Sequence, residues 1–562
     1  MIKKLKLILF IIIYLYQTQA FSKASEEKDF NPKYLSNYLS AIISQNNQNN
    51  EESVRFFNSS KILINDHENY LKKYVLALVV NTEVKKSINL VRENIGKKNS
   101  NFFEAKLLLL IDNIKKKNFL HNVKILKELK QYSDSSNYHY IIYEVLKSYN
   151  DLFLNKEINL NDSKNLGTLS VINEAFQYCY LNKKETDNKF KNLLDKRESD
   201  YSRYLFFRIN YLIKNNDLQN VKKISKSINI LDSNLLIQQS KQWIDNSNLN
   251  KFEDIFSCQN ETDLIAEFFF LISNFLSVEK DFQKSNFYSN LSIYLNPKFY
   301  FNLTHLLENY FENNKFLMAQ EILKNFNDED KIYYWYKSKK IAQIIYNEND
   351  REKSLKYIEE KFQEYQKPTT KIIYDMANIY KRNKEFKKSI YYYSLILDKF
   401  NISSEEYASV LYNRGSSYER LGDDLKSDKD LLESLKIKPN EPYVLNYLGY
   451  SWLEREYKIE EAINMLDRAY KQKKNDPFII DSVGWGYFLT GDFINAEKFL
   501  RKAIQLMPRD PIVNDHYGDV LWKLNRKIQA KYYWQSVLDF ENTDKELKDK
   551  ISKKLLEGLD ES

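Results

Sequence analysis

Apolar residues in the last third of the chain recur every three or four positions. In DPFIIDSVGWGYFLTGDFINAEKFLRKAIQLMPRD, residues 476–510, Ile480, Val483, Gly484 and Tyr487 form an i, i+3, i+4, i+7 stripe that predicts a helix. It opens at Pro477, a favoured first helical position after the capping residue Asp476. Gly491-Asp492 makes a turn, and Ala496, Leu500, Ala503 and Ile504 mark a second apolar stripe. Pro508 ends the unit, because the residue before a proline resists the helical region.

This hairpin recurs. Gly415, Gly449, Gly484 and Gly518 are separated by 34, 35 and 34 residues, the period of a helix–turn–helix repeat. A glycine inside a helix costs roughly 0.5–1 kcal/mol relative to alanine. Its repetition is explained if the missing side chain lets the second helix approach the first. Ala496 then supplies the facing small surface, Ala503 a small contact to the next hairpin, and Tyr487 and Leu500 fill the wider gaps.

On these residues the chain resembles the tetratricopeptide repeat (TPR) family, whose signature is a bulky residue, Leu-Gly, Tyr, Ala, Phe, Ala and Pro at set offsets. One copy has Leu411, Gly415, Tyr418, Ser427, Leu431, Ser434 and Pro439. The next has Leu445, Leu448, Gly449, Trp452, Ala462, Leu466 and Ala469, with one residue inserted in its turn and no terminal proline. The stretch quoted above is the third, and Tyr517, Gly518, Leu521, Ala530, Trp534 and Val537 mark the fourth. Upstream the beat blurs. Ala377, Tyr380, Ser389 and Tyr393 fit one copy, Ser285, Ser292 and Pro297 another, Ala319 and Leu323 a further hairpin, and Ala41, Ser53, Phe57 and Ser60 fit loosely. Between residues 66 and 250 amphipathic helices such as Tyr70–Val80 and residues 103–114 show no dependable register.

The resemblance implies an all-α fold, a right-handed α-α superhelix with degenerate hairpins in its N-terminal half. The expected organisation is a signal peptide at 1–20, degenerate hairpins over 21–260, and divergent repeats over 261–368. A TPR array follows over 369–542, with copies near 408–440, 442–476, 477–509 and 511–542, and then a capping helix at 543–562. A separate all-α domain is the alternative for 66–250. Capping boxes are expected at Thr543-x-x-Glu546 and Ser403-x-x-Glu406.

Composition agrees with helix: 10 glycines and 8 prolines in 562 residues are too few for an array of strands and turns. The 85 basic and 77 acidic residues leave a net charge of +8, nearly balanced at this length, so no nucleic-acid face is expected. Lys3, Lys4 and Lys6 precede an apolar stretch from Leu7 to Tyr16, and Thr18 and Ala20 stand at −3 and −1 of a small-residue cleavage site. Export with cleavage after Ala20, to the periplasm of a Gram-negative bacterium, is expected; an uncleaved inner-membrane anchor is the alternative. Cys179 and Cys258 lie 79 residues apart, more than two repeats, and two free buried thiols are expected.

The five histidines, His67, His121, His139, His305 and His516, have no metal-ligand spacing, and the chain has no phosphate-cradling glycine loop and no nucleophile elbow. No catalytic residue, cofactor or metal is expected. In TPR arrays the first helix of each hairpin lines the concave face, which implies groove positions at Tyr412 and Ser416, Asn446 and Tyr450, Asp481, Trp485 and Phe488, and Asp515, Asp519 and Trp522. Aromatic side chains among carboxylates suit an extended peptide or helix with apolar and basic side chains. The lysine–asparagine clamp of chaperone-cofactor TPRs has no counterpart at Ser416, Tyr450, Trp485 and Asp519. The resemblance implies a non-enzymatic scaffold or adaptor of the cell envelope, binding a protein partner. Its rivals are an inner-membrane-anchored factor for envelope or polysaccharide-export machinery and, remotely, a glycan-active enzyme with an α-superhelical body.

Overall fold

The structure, a computed structural model, describes residues 31–132, 138–158, 166–195, 202–348, 350–541 and 543–559. The expected signal segment lies outside the described residues. Every regular element among the described residues is a helix, and most are joined as antiparallel hairpins. The chain divides into two compact units, one of residues 1–228 with 234–337, the other of 229–233 with 338–562. The sequence boundaries at 260 and 368 do not coincide with this division.

The hairpins of the second unit follow the predicted pattern. The helices Pro477–Leu489 and Phe493–Leu506 pair across the Gly491 turn, whose positive φ of 80° suits glycine. Asp476 accepts from the backbone N–H groups of Phe478 and Ile479, and Pro477 takes the first helical position. Ile480, Ala496, Leu500 and Ala503 are fully buried. The repeat glycines are packing notches: a Cβ on Gly484 would lie 2.7 Å from Leu500 Cγ, and one on Gly518 would lie 2.5 Å from Trp534 Cδ1.

A register that the sequence showed only in part extends through both units. In the first, Ser53 donates to the carbonyl of Ala41 (3.0 Å), Ser87 to that of Val75 (3.1 Å) and Ser285 to that of Ser273 (2.8 Å). In the second, Ser354 donates to the carbonyl of Ala342 (2.6 Å). Each pair is 12 residues apart, as Gly484 is from Ala496 and Gly518 from Ala530. A serine replaces the alanine of the second helix, and its hydroxyl finds an acceptor on the first helix, so close approach survives without a glycine. Leu307 and Ala319, both buried and also 12 apart, hold the same positions. The turns keep the beat as well: Gln48, Thr82 and Lys117 adopt the positive φ that Gly491 adopts later, as do Lys280 and Asn314. Antiparallel helical hairpins, Tyr70–Val80 with Val84–Glu93 and Phe103–Lys115 with Phe119–Leu129, therefore run through residues 66–129, where the sequence showed no register.

The first unit closes on itself. Asn290 Nδ2 donates to the carbonyl of Val80 (3.2 Å), 210 residues earlier, and Asn50 Nδ2 to the hydroxyl of Tyr310 (3.0 Å), 260 residues later. This overturns the expectation for the cysteines. Cys179 and Cys258 form a disulfide, with Cα atoms 5.7 Å apart. Chain separation misled because the loop after the short helix Asn250–Ile255 turns back: Phe256 packs against Phe176 and Phe207, with ring centroids 6.1 and 4.6 Å away. Gln259 Nε2 then donates to the Cys179 carbonyl at 2.8 Å.

Two caps fall one residue later than expected. Ser404, not Ser403, caps the helix Glu405–Glu419 by accepting from the Tyr407 N–H. Asp544, not Thr543, caps the last helix, Lys545–Glu557, by accepting from the Leu547 N–H. Thr543 instead donates to the Val537 carbonyl at 2.7 Å, which ties the turn to the preceding helix.

Candidate peptide-binding groove

In the second unit the first helices of the hairpins are Thr370–Arg382, Glu405–Glu419, Pro442–Glu454, Pro477–Leu489 and Pro511–Lys523. Equivalent positions on these helices form two adjacent rows: Tyr412, Asn446, Asp481 and Asp515, 34 or 35 residues apart and preceded by Tyr374 at 38, and Asn413, Tyr447, Ser482 and His516. The side chains join one helix to the next across these rows. Asn413 Nδ2 donates to the Tyr374 hydroxyl (3.0 Å), Tyr447 meets Tyr412 edge-on at 6.0 Å between centroids, and His516 Nδ1 lies 3.0 Å from Asp481 Oδ2. Lys550, on the last helix, continues the same step to Asp515 at 3.4 Å. The last helix thus occupies the place of another first helix.

The ladder accounts for most of the carboxylates predicted to face a ligand. Asp481, Asp515 and Asp519 are all buried. Lys554 Nζ lies 2.7 Å from both carboxylate oxygens of Asp519 and also pairs with Asp515. Basic side chains of this same chain therefore fill the acidic positions. Burial and the neighbouring Asp515 push the Asp519 carboxyl up to about 6. For Asp515, burial works upward, but Lys554 and Lys550 outweigh it and hold the carboxyl below its ordinary value. Burial alone would lower His516; Asp481, Asp515 and Asp519 together outweigh it and raise the imidazole above its ordinary value.

Trp485 is also part of the framework. It stacks on His516 at 4.0 Å and on Phe488 at 4.7 Å, and its Nε1 donates to Glu454 at 2.5 Å. Trp522, half-buried, packs against Trp534 at 5.2 Å, under the end of the last helix at Gly558. Tyr412, Asn446 and Tyr450 remain half-buried, neither sealed in nor fully exposed. Burial pushes the Tyr450 hydroxyl well up, with Glu454 and Asp481 adding to it. Asn446 Oδ1 has no hydrogen-bond partner among the described residues.

Sequence reasoning missed basic positions on the helices Lys331–Asn347 and Thr370–Arg382. Lys339 and Lys371 share Asp375, at 2.6 and 3.2 Å. Lys381 donates to Asn413 Oδ1 at 3.1 Å and lies 5.5 Å from the centre of the Tyr412 ring. Burial, then the charge of Arg420, push its ammonium down to about 8. Once the twelve-residue pairing is known, these positions follow from counting along the first helices; without that register the sequence offers no signal for them.

The profile of the tetratricopeptide repeat family matches residues 408–441, the hairpin that carries Tyr412, Gly415 and Ser427. The chain carries tetratricopeptide repeats. A TPR repeat-containing protein of Pseudomonas aeruginosa is 34% identical over 111 residues, covering 20% of this chain and 19% of that protein. Anaphase-promoting complex subunit 3 of Schizosaccharomyces pombe is 25% identical over 114 residues, 20% of this chain and 16% of its own length. The chain thus spans less than a fifth of these curated relatives. Among solved structures, a tetratricopeptide repeat protein from Parabacteroides merdae aligns with a TM-score of 0.37 at 14% identity, over 45% of this chain and 97% of that one. TPR hairpins are scaffolds for protein–protein contact, and no enzymatic family is indicated. No described helix is long and apolar enough to cross a membrane.

Proposed function

We propose that this protein is a non-enzymatic scaffold or adaptor of the bacterial cell envelope, holding a segment of a partner protein along the concave rows of its second unit. The observation that carries the reading is the row itself. Tyr412 and Asn446 stand 34 residues apart and Tyr450 lies one turn after Asn446, all half-buried, beside helices locked together by Tyr447, Trp485 and His516. A framework stiffened in this way presents its side chains at little entropic cost on binding. Export is supported by the charged and apolar N-terminal residues and by the Cys179–Cys258 disulfide, which suits an oxidising compartment.

The test is site-specific photo-crosslinking from positions 412 and 450 in envelope preparations, with position 425 on an exposed second-helix face as control. The reading predicts a discrete adduct from 412 and 450 and none from 425; equal labelling from all three would refute it. N-terminal sequencing of the mature protein separates the two export forms: a start at Phe21 means release, and an intact Met1 means an anchor.

A further inference from the structure

We infer that one edge of the second unit rests on an anionic lipid bilayer, with Tyr443, Phe478 and Ile512 entering the headgroup boundary. These three are the second residues of the helices Pro442–Glu454, Pro477–Leu489 and Pro511–Lys523, and they follow one another at 35 and 34 residues. The repeat therefore sets them in a row, one per hairpin, at the ends of the helices and one turn before the groove rows. Phe478 is 61% exposed, and Tyr443 and Ile512 are 45% exposed each. One exposed apolar side chain is ordinary, but the same position left open in three successive hairpins makes a surface.

The loops that join the hairpins bring cations to this edge, and contacts between them hold it together. The Tyr443 hydroxyl donates to Asp476 Oδ2 (3.2 Å), Lys473 Nζ lies 6.0 Å from the centre of the Tyr443 ring, and Lys502 Nζ donates to the Lys474 carbonyl (2.7 Å). Residues 436–443, 471–478 and 506–512 hold six basic residues against three acidic ones. The three carboxylates are already engaged. Glu441 pairs with Lys438 at 2.8 Å, and Asp476 and Asp510 cap their helices by accepting from the N–H groups of Phe478 and Ile512. Lys436, Lys473, Lys474 and Arg509 are exposed, and among the described residues no carboxylate pairs with them. The lysine content of the chain does not explain the excess, because the loops on either side reverse it. Residues 398–406 hold one basic and three acidic residues, and 539–546 hold one and four. The basic edge is thus a bounded patch, three joints long.

Cations interleaved with exposed apolar side chains suit an anionic bilayer: phosphates meet the ammonium and guanidinium groups, while rings and aliphatic side chains enter the interface. A nucleic acid would engage the cations and give Ile512 nothing to do. The contact is peripheral, and it does not depend on the groove.

The experiment is co-sedimentation of the full chain with vesicles of phosphatidylcholine alone or with about 30% phosphatidylglycerol, at about 0.1 M salt. Binding to the anionic vesicles should be about 10-fold tighter or more. Lys473→Glu with Lys474→Glu should weaken it about 5-fold or more, and Phe478→Ser with Ile512→Ser about 3-fold or more. Lys498→Glu with Lys531→Glu makes the same charge change at exposed second-helix positions away from this edge, and should leave affinity within about 2-fold. Circular dichroism of each variant checks the fold. Equal binding to the two vesicle types, an unchanged affinity in either edge variant, or an equal loss in the control overturns the inference. So does tighter binding of a single-stranded oligonucleotide, or of a polyglutamate peptide, than of the anionic vesicles. The groove reading fails separately, through the crosslinks from positions 412 and 450.

Discussion

Lys554 and Asp519 stand a full repeat apart, 35 residues, yet the ammonium lies 2.7 Å from both oxygens of the carboxylate, inside the protein. The pair anchors a helix that the sequence marks only as a cap. Its removal should be costly, because a lone buried carboxylate cannot be hydrated. Lys554→Met leaves buried Asp519 with no cationic partner, only the Trp534 Nε1 donor at 3.0 Å, while Asp515 keeps Lys550, and should destabilise the last hairpin by about 3–5 kcal/mol. Hydrogen exchange over residues 511–557 measures it, and protection unchanged from wild type would contradict the assignment.

The same cluster sets a pH dependence. The Asp519 carboxyl, raised to about 6, and the raised His516 imidazole both favour the protonated folded state. Their stabilisation is present at mildly acidic pH and is lost as pH rises, through about 6 for Asp519 and then through the folded His516 value above 6.5. Asp515, held low, acts in the opposite sense and loses its contribution only in stronger acid. The last hairpin should therefore be more protected at pH 5.5 than at pH 8.5, and His516→Gln should flatten the upper part of that slope.

The repeat glycines should differ in tolerance. A Cβ at Gly518 or Gly484 meets Trp534 or Leu500 at under 3.0 Å, whereas at Gly415 the nearest atoms are 3.1 Å away. Gly518→Ala and Gly484→Ala should each cost about 1–3 kcal/mol in urea unfolding, and Gly415→Ala less. Combining Gly484→Ala with Leu500→Ala should cost less than the sum of the two, since the second change vacates the space the first requires.

Trp485 is a framework residue. Trp485→Ala should cost about 3–5 kcal/mol, because it removes a buried indole stacked on two rings. Tyr412→Ala should leave thermal stability much closer to wild type while weakening partner capture. A Trp485→Ala protein as stable as wild type would return that side chain to the groove.

The disulfide fastens the first unit alone. Reduction, or Cys179→Ser with Cys258→Ser, should remove about 2–5 kcal/mol from that unit. Hydrogen exchange should register the loss in the helices around Phe176 and Phe207 and leave residues 405–539 unchanged.

The repeats read most clearly from sequence are those with glycine at the close approach, from Gly415 to Gly518; the copies around Ser285 and Ser53 fitted only loosely. Glycine has one common reason to recur inside helices at that spacing, so its position is informative. Upstream, the same approach is made by Ser53, Ser87, Ser285 and Ser354, and serine has many reasons to occur in a helix. The groove rows were likewise legible as positions: Tyr412, Asn446, Asp481 and Asp515 lie in register. What each position faces was not, because Lys550 and Lys554 reach it from beyond the last repeat.

Periodicity alone determined that this is a helical repeat protein, where its best repeats begin and end, and which side chains share a face. These follow from local geometry, 3.6 residues per turn and one hairpin per 34 residues. Only the tertiary structure decided that Cys179 meets Cys258, that the first unit closes across more than 200 residues, and that Asp481, Asp515 and Asp519 are answered by His516, Lys550 and Lys554. Those outcomes depend on which distant segments pack together, and helical periodicity carries no record of distance in space.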